Sequence, residues 1–429
     1  MSRLLKAYLA SFSGLSREVW LLSVVMLINR SGTMVLPFLS LYLTSELGFT
    51  LAQAGGVLSA FGLGAIVGSW LGGRLTDQFG YYIVQACSLF LGGIAFLILG
   101  ELQTETSWYI GIFLTSVVVS TFRPANTTAI GVYADPKLVT RSITLNRLAI
   151  NLGWAIGPAV AGWLAHSVGY EALFWVNCAS NLLAAFFYRF NLSPQKPNSD
   201  SGSTPKQIKK AIPNPEVKAS GVWQNRPFLL VVFFQMLVMV GFMQVFSTLP
   251  IYLEEVLSWN EGQIGLLLGL NGILIVIIEM PLVAWLEKRY TTLQMVRLGT
   301  LFVGGGLFCL FAGVNWVGFV WIYAILITIG EMVNFPFGET YALSLAQPHN
   351  RGRYMGVYGL AFSGAFVIAP LLGTRLAEHG SWNLLWGIMG VLSLLAAWGI
   401  GWISRPPAKK LGSDPLPAGG DIVPAGTSD

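Results

Sequence analysis

Charged side chains are scarce in this sequence. Asp, Glu, Lys and Arg together make up only 10 % of its 429 residues, whereas an ordinary soluble domain has roughly 25 %. Apolar residues account for 54 % of the chain, and they recur in runs of about 20 residues, long enough to cross a bilayer core of roughly 30 Å. The composition therefore excludes a water-soluble fold and indicates a protein that is embedded in a membrane.

Cysteine is also rare, and the three that occur, Cys87, Cys178 and Cys309, lie alone in different apolar runs. No CxxC pair or histidine cluster accompanies them, so we expect free thiols, no metal site and no cofactor. P-loops, nucleophile elbows, HExxH helices and dinucleotide-binding fingerprints are missing as well. The sequence thus lacks the parts for ATP-driven transport or hydrolysis, and we expect no enzymatic activity.

Apolar runs long enough to span a membrane occur twelve times. Since backbone polar groups in lipid must be satisfied internally, and the runs lack strict alternation, they predict helices. We expect an all-α membrane protein with twelve transmembrane helices in two six-helix pseudo-symmetric halves. The predicted spans are 19–43, 51–73, 83–102, 108–133, 144–166, 171–190, 227–253, 262–286, 292–313, 317–346, 352–377 and 381–404.

Basic residues lie in alternate connections between these runs, and the intervening loops hold acidic ones. This distribution is typical of cytoplasmic loops rich in Lys and Arg, so it predicts cytoplasmic termini. It also accounts for the net charge of +5 without nucleic acid. We expect a multi-pass monomer in the cell membrane with four parts: an N-terminal half (1–190), a cytoplasmic linker (191–226), a C-terminal half (227–404) and a disordered tail (405–429).

The second half of the chain repeats the first. At an offset of 212 positions, four residues recur: Pro124 as Pro336, Pro136 as Pro348, Arg141 as Arg353 and Pro158 as Pro370. At an offset of 210 positions, further pairs are Tyr42 with Tyr252, Gln53 with Gln263, and Asp77 with Glu287. Because parallel repeats of this kind form a binding site between them near the bilayer midplane, the duplication predicts a transporter.

The connection after the second run carries a charged turn flanked by glycines. It meets the loop signature G-x-L-x-D-r-x-G-r at Gly73, Leu75, Asp77 and Gly80. By this signature the sequence resembles the major facilitator superfamily, whose members are secondary active transporters. Glu287 keeps the acid at the matching place in the second half. Tyr81 and Tyr82 replace the family's two closing basic residues, so the resemblance does not extend to a gating role for those charges.

The fifth run contains the sequence GWAIGPAVAG, which begins at Gly153. Gly153 and Gly157 give a close-packing face, and Pro158 removes one backbone hydrogen bond, which favours a bend or pivot. Within the superfamily this is similar to the G-x-x-x-G-P-x-x-G motif of the drug/proton antiporter branch, with the last glycine shifted by one position to Gly162. Helix packing alone is the other interpretation of this motif.

Six ionisable side chains are predicted to lie within the membrane, where each costs on the order of 2.5 to 3.5 kcal/mol and so needs a partner or a purpose. The first half contributes cations and the second half anions: Arg30, Arg123 and Arg147, then Glu279, Glu331 and Glu339. Polar amides in the spans are open to two interpretations, substrate binding or hydrogen bonding between helices: Asn151, Gln235, Gln244, Asn271 and Asn334.

Arg30, Arg123 and Glu331, if they face one another across a central cavity, would suit a proton and a polar or zwitterionic substrate. We predict these three and Glu339 to bind substrate or couple protons, with Glu331 as the first choice for the coupling carboxylate. A permanent ion pair locking the halves together is the alternative role for Glu331. Gating or structural roles are predicted for the remaining residues: Gly73, Asp77, Gly80, Arg147, Gly153, Gly157, Pro158, Glu279 and Glu287.

The sequence thus predicts a proton-coupled secondary active transporter of small organic molecules, most simply a drug or metabolite efflux antiporter working by alternating access. Its expected partners are the substrate, protons and the lipid bilayer. The alternative is a proton symporter that imports a zwitterion such as an amino acid or short peptide, with Arg30 at the carboxylate and Glu331 at the amine. A sensor or lipid-handling protein without transport activity is a third possibility on the same fold.

Overall fold

The computed structural model describes residues 14–135, 138–195, 222–313, 316–345 and 351–404. Within these ranges every regular element is helical, and no β-strand occurs. The predicted linker (191–226) lies mostly outside the described residues, and the predicted tail (405–429) lies entirely outside them. Pro136 and Pro348 of the repeat are outside them too.

The first set of helices, which we call the N-half, consists of α1 (Arg17–Ser31), α2 (Val35–Leu41), α3 (Leu51–Phe79), α4 (Tyr81–Gly100), α5 (Glu105–Ser120), α6 (Phe122–Tyr133), α7 (Val139–Ser167) and α8 (Glu171–Asn191). The second set, the C-half, consists of α9 (Arg226–Phe242), α10 (Gln244–Ser247), α11 (Leu249–Leu257), α12 (Glu261–Leu286), α13 (Thr292–Ala312), α14 (Val317–Ser344), α15 (Arg351–His379) and α16 (Trp382–Ile403). A π-helical turn, Tyr42–Glu46, extends α2, and a 3-10 turn, Val222–Gln224, precedes α9.

Ten helical segments among the described residues are long and apolar enough to cross a membrane. The predicted spans 108–133 and 171–190 are not among them. The first of these is divided into α5 and α6 at Thr121. The second forms the single helix α8, in which Asn177 and Asn181 lower the hydropathy of an otherwise apolar run. The count of membrane-spanning helices from length and composition is therefore ten.

Two further predicted spans consist of more than one helix. Span 19–43 breaks after Ser31, and the chain restarts as α2 with Pro37 in its first turn. Span 227–253 breaks at Met243 and again at Thr248, and Pro250 lies in the first turn of α11. Proline is tolerated in a first turn, where its missing N–H would have no intrahelical acceptor. Both prolines therefore lie at the start of a new helical segment.

The repeated glutamines have the same local role in the two halves. The Gln53 side chain accepts a hydrogen bond from the Thr50 amide at 2.8 Å, and the Thr50 hydroxyl accepts from the Gln53 amide at 3.2 Å. At the start of α12, Asn260 and Gln263 form the same reciprocal pair at 3.0 and 2.9 Å. Each pair is a capping box, which satisfies backbone donors that a helix start leaves free.

The halves meet most extensively along two helix pairs, α7 with α12 and α3 with α15, and α2 also contacts α10 and α11. Successive spans alternate in direction, so we name the two ends of the bundle by their connections. The linker end is where α8 ends and α9 begins, and the opposite end is the far end. All of the closest cross-half backbone approaches described below lie toward the far end.

Small residues bring α7 and α12 into backbone contact. A Cβ atom placed on Gly265 would lie 2.8 Å from the Cα of Gly162, and one on Gly272 would lie 2.5 Å from the Cα of Ala155. Between these points, a Cβ on Gly269 would lie 2.7 Å from that of Ala159. Such close approach is possible only where at least one helix lacks side-chain bulk.

The pair α3 and α15 meets in the same way. A Cβ atom on Gly55 would lie 2.8 Å from the carbonyl oxygen of Pro370, and one on Gly62 would lie 2.9 Å from that of Phe366. Between them, the Ser59 hydroxyl donates a hydrogen bond to the Val367 carbonyl at 2.7 Å. The far end is therefore closed along both helix pairs.

We expect Gly265→Val to separate α7 and α12. Its Cβ would lie 2.5 Å from the carbonyl oxygen of Pro158, a backbone atom that cannot rotate away. Spin labels attached to cysteines at Thr106 and Asn383, which are exposed in opposite halves at the far end, should then report a longer distance. The measurement is made in a background that lacks the native cysteines.

Gly359→Val is the matched control, because nothing lies within 4 Å of a Cβ atom at Gly359. It should leave the distance between the labels at its parent value. An equal distance in Gly265→Val and the parent would mean that far-end closure does not depend on this backbone contact.

Candidate functional site

Carboxylates of the C-half accept hydrogen bonds from the N-half across the far end. The Ser45 hydroxyl donates to the two Glu254 oxygens at 3.2 and 3.1 Å. The Tyr170 hydroxyl donates to Glu261 at 3.2 Å, and His166 Nδ1 lies 3.3 Å from the other Glu261 oxygen. These contacts join the halves by polar groups just outside the backbone contact of α7 and α12.

A third carboxylate extends the same arrangement, since Glu378 accepts a hydrogen bond from the Ala52 amide at 2.9 Å. Burial raises the pKa of the Glu254 carboxyl, the Ser45 hydrogen bond lowers it, and the charge of Glu261 raises it again. The net result is a Glu254 pKa above its ordinary value. We call Glu254, Glu261 and Glu378 the far-end carboxylates.

A cavity of about 370 Å³ opens between the halves at the linker end. It lies between α7 of the N-half and α12 and α14 of the C-half, in the parts of these helices that are nearest the linker end. Fourteen residues line it: Thr144, Arg147, Leu148, Asn151, Ile275, Val276, Glu279, Met280, Val283, Glu287, Pro336, Glu339, Thr340 and Leu343. The same two helices, α7 and α12, are thus in contact at the far end and apart at the linker end.

Arg147 connects the two walls of this cavity. Its guanidinium nitrogens lie 3.6 Å from a Glu279 oxygen and 3.7 Å from a Glu339 oxygen. The Asn151 amide donates a hydrogen bond to the second Glu279 oxygen at 3.1 Å. The Arg147 and Glu339 side chains are 47 % and 45 % exposed, whereas Glu279 is 13 % exposed. Three sequence-predicted residues from opposite halves, Arg147, Glu279 and Glu339, are therefore brought together here, and Glu287 lines the same cavity.

Glu331 lies apart from this cluster, against α12. The Asn271 amide donates hydrogen bonds to a Glu331 oxygen at 3.2 Å and to the Thr328 hydroxyl at 2.9 Å. No ion pair within the described part of the chain joins Glu331 to Arg30 or Arg123. The polar surroundings of Glu331 therefore come from the C-half itself.

Arg30 is held by the glycines of the fifth span. A Cβ atom on Gly153 would lie 3.0 Å from the Arg30 carbonyl carbon, and one on Gly157 would lie 3.2 Å from its oxygen. The Arg30 Nε is buried and has no hydrogen-bond partner among the described residues. Arg123 is exposed and interacts electrostatically with Arg30. Arg30 and Arg123, two of the three cations predicted for the N-half, thus repel each other.

The loop signature lies at the linker end, between α3 and α4. Gly80 has a φ of +83°, which explains why a glycine is needed there. Asp77 is exposed, and nothing lies within 4 Å of a Cβ atom at Gly73. The close packing in this region belongs instead to Gly72, where a Cβ atom would lie 2.6 Å from the Thr121 Cα.

The five polar amides are all hydrogen-bonded to other helices. Asn151 and Asn271 donate to Glu279 and Glu331, and Gln244 donates to the Ala369 carbonyl at 3.0 Å. Gln235 donates to Asn334, which in turn donates to the Thr300 hydroxyl and the Val296 carbonyl. The interpretation as interhelical contacts therefore holds for all five.

Sequence reasoning missed the donors to the far-end carboxylates, Ser45, His166 and Tyr170. The available signal was the excess of acidic residues in the loops at that end, which we used only to orient the chain. Nothing in the sequence around a loop carboxylate indicates which residue of the other half will be its hydrogen-bond partner.

A sequence profile described as Major Facilitator Superfamily matches residues 19–336 and 293–426, well over half of the chain. The chain belongs to this superfamily. Since the superfamily consists of transporters, the protein is a membrane transporter of small molecules and is not an enzyme.

Three relatives within the superfamily match most of the chain. The uncharacterized MFS-type transporter YqjV of Bacillus subtilis is 26 % identical, over 82 % of this chain and 85 % of its own. A Na(+), Li(+), K(+)/H(+) antiporter of Planococcus maritimus is 23 % identical over 87 % and 92 % of the two chains. The multidrug resistance protein MdtH of Proteus mirabilis is 23 % identical over 79 % and 82 %.

The fold is also that of solved superfamily transporters. The crystal structure of a POT family transporter in complex with 5-aminolevulinic acid superposes with a TM-score of 0.72 at 16 % identity. The match covers 91 % of this chain and 97 % of that one. At this identity the match shows the fold alone.

Acidification of the solution at the far end should shift the protein toward the form in which the far end is closed. Burial in the closed form raises the pKa of Glu254, so the closed form binds a proton more tightly than an open form in which this carboxyl is hydrated. A fall in pH through the raised pKa therefore stabilises closure. The spin-label pair at positions 106 and 383 should report a larger short-distance population at low pH.

The Glu254→Gln variant is the control, because it removes the titrating group and keeps the acceptor oxygen for Ser45. Its distance distribution should respond less to pH than that of the parent. A short-distance population that falls on acidification would contradict the prediction.

Proposed function

We propose that this transporter is a proton-coupled secondary active transporter of small organic molecules that works by alternating access, most simply as a drug or metabolite efflux antiporter. The observation that carries the proposal is the state of α7 and α12, which touch through backbone at the far end and enclose a cavity at the linker end. Access from one side at a time is what rocking halves around a midplane site require.

The proposed topology has twelve crossings. The ten apolar helices supply ten of them, the pair α5 and α6 supplies one, and α8 supplies the last. The division into two halves, a linker and a tail is part of the same proposal. The excess of Lys and Arg at the linker end supports a cytoplasmic location for that end and for both termini. The cavity then faces the cytoplasm, which is the side from which an exporter binds its substrate. The proposal includes a monomer in the cell membrane.

Glu331 is the proposed proton-coupling carboxylate. A carboxyl group that is alternately open to water and shut away from it takes up and releases a proton. Asn271 and Thr328 give Glu331 neutral polar neighbours, so its ionisation is not fixed by a permanent arginine partner. Two relatives support exchange against protons and efflux, since one is named an antiporter and another a multidrug resistance protein.

A second candidate function is proton symport of a zwitterion such as an amino acid or short peptide. The observation that favours it is the pair Arg30 and Arg123, neither of which forms an ion pair in the described ranges. Two cations without a carboxylate can receive the carboxylate of a substrate.

The Glu331→Gln variant should lose coupled transport. One proton moving down a proton-motive force of 100 mV supplies about 2.3 kcal/mol, enough for roughly fiftyfold accumulation of substrate. We expect this accumulation to disappear in proteoliposomes with an imposed pH gradient, because glutamine cannot carry the proton. The substrates for the assay come from a ligand-stability screen of the purified protein.

Glu101→Gln is the matched control for this assay. Glu101 is an exposed carboxylate at the end of α4, and its replacement should leave accumulation unchanged. Equal accumulation in Glu331→Gln and the parent would remove Glu331 from the mechanism.

Arg30→Ala separates the two candidate functions. If the protein imports a zwitterion, the variant should lose uptake, because the substrate carboxylate loses its cation. If the protein exports drugs, efflux should stay close to that of the parent. The measurement is radiolabelled substrate flux, in both directions, in the same proteoliposomes.

A further inference from the structure

The cavity at the linker end has the size and walls of a binding site for an amphipathic molecule. Its volume of about 370 Å³ falls within the range of roughly 300 to 1,000 Å³ that is usual for small-molecule sites. Most of its wall is apolar, and the aliphatic and thioether side chains come from both halves: Leu148, Ile275, Val276, Met280, Val283 and Leu343. A ligand with an apolar body would therefore bury it against both halves at once.

The charged groups that line the cavity do not balance. Glu279, Glu287 and Glu339 are acidic, and Arg147 is the single basic residue among the lining residues. An apolar wall with an excess of negative charge attracts cations and rejects anions, because charge is screened less there than in bulk water. The cavity therefore selects for positive charge on its ligand.

Arg147 already places a cation between two of these carboxylates, but it is held loosely. Its distances of 3.6 Å to Glu279 and 3.7 Å to Glu339 exceed the roughly 2.7 to 2.9 Å of a charge-assisted hydrogen bond. Arg147 and Glu339 are also nearly half exposed, and pairs exposed to that degree contribute little stability. A second cation can therefore replace the guanidinium beside Glu339 at small cost, and it would also be a partner for Glu279, which is only 13 % exposed.

We propose that this cavity binds an organic cation with an apolar body, whose charge takes the place of the Arg147 guanidinium between Glu279 and Glu339. Arg147 belongs to α7 of the N-half, and the two carboxylates belong to α12 and α14 of the C-half. Displacement of Arg147 breaks its ion pairs with Glu279 and Glu339 and leaves the ligand between the halves. The bound cation thus bridges the two walls of the cavity, α7 on one side and α14 on the other, in place of Arg147.

This inference rests on the transport function proposed above and deepens it, because it names the substrate class and the place of binding. It differs from that proposal in its residues, since Glu331 lines no part of the cavity. Binding is also measurable without transport, in purified protein.

The test is binding of radiolabelled tetraphenylphosphonium to the purified full chain in detergent. Glu339→Gln and Glu279→Gln should weaken binding about fivefold each, the change that corresponds to roughly 1 kcal/mol for a partly exposed charge pair. Arg147→Gln should tighten binding by a similar factor, because the competing cation is gone. A residue that only maintained the shape of the cavity would weaken binding when it is changed.

Conservative variants keep the test decisive if a substitution disturbs folding. Arg147→Lys retains a competing cation and Glu339→Asp retains the charge, so both should bind tetraphenylphosphonium nearly as the parent does. Glu101→Gln should bind unchanged, and the anion tetraphenylborate should not compete. Weaker binding in Arg147→Gln, or unchanged binding in both glutamine variants at positions 279 and 339, would overturn the proposal.

Failure of the proposed function is distinguishable from failure of this inference. If the predicted binding pattern holds while the parent shows no proton-driven flux, the cation site stands and the coupled transport falls. If Glu331→Gln abolishes flux while Arg147→Gln and Glu339→Gln leave tetraphenylphosphonium binding unchanged, coupled transport stands and the cation site falls.

Discussion

Backbone contact between α7 and α12 determines where this protein is open and where it is shut. From Gly162 to Ala155, small residues face Gly265, Gly269 and Gly272, and the two helices touch without intervening side chains. Farther toward the linker end, α7 carries Asn151 after about one turn and Arg147 after about two, and α12 carries Glu279 about two turns beyond Gly272. These side chains need room between the helices, so the contact ends and the cavity begins.

The fifth span combines two contacts on one helix. Gly153 and Gly157 pack on the backbone of Arg30 in α1, whereas Ala155, Ala159 and Gly162 pack on α12. A movement of α12 against the N-half would therefore displace α7, and α7 packs directly on the backbone of Arg30. Pro158 lies within this stretch and removes one backbone hydrogen bond from it. The motif that resembles the drug/proton antiporter signature is thus a structural link between the interface of the halves and an arginine inside the bundle.

Much of the fold is predictable from the sequence because the membrane reduces it to a question of length and hydropathy. The glutamines of the repeat, Gln53 and Gln263, both proved to complete capping boxes, which a sequence offset can indicate. The break at Thr121 was not predictable, because hydropathy reports an average and a one-residue break changes it little. The pairing of Arg147 with Glu279 and Glu339 was not predictable either. The sequence identifies charges that need partners. Which of several carboxylates pairs with Arg147 depends on how the two halves are oriented relative to each other.

The two copies of the repeat differ at their fourth helix. Pro124 follows the break at Thr121 and lies in the first turn of the short helix α6, whereas its counterpart Pro336 lies inside α14, which runs unbroken from Val317 to Ser344. A continuous helix transmits a tilt from one end to the other, and a broken one lets its two parts tilt separately. Pro336 also removes one backbone hydrogen bond from α14. Both copies therefore have a weakened point in their fourth span, and the amino-terminal copy alone, within the described residues, is divided there into two helices.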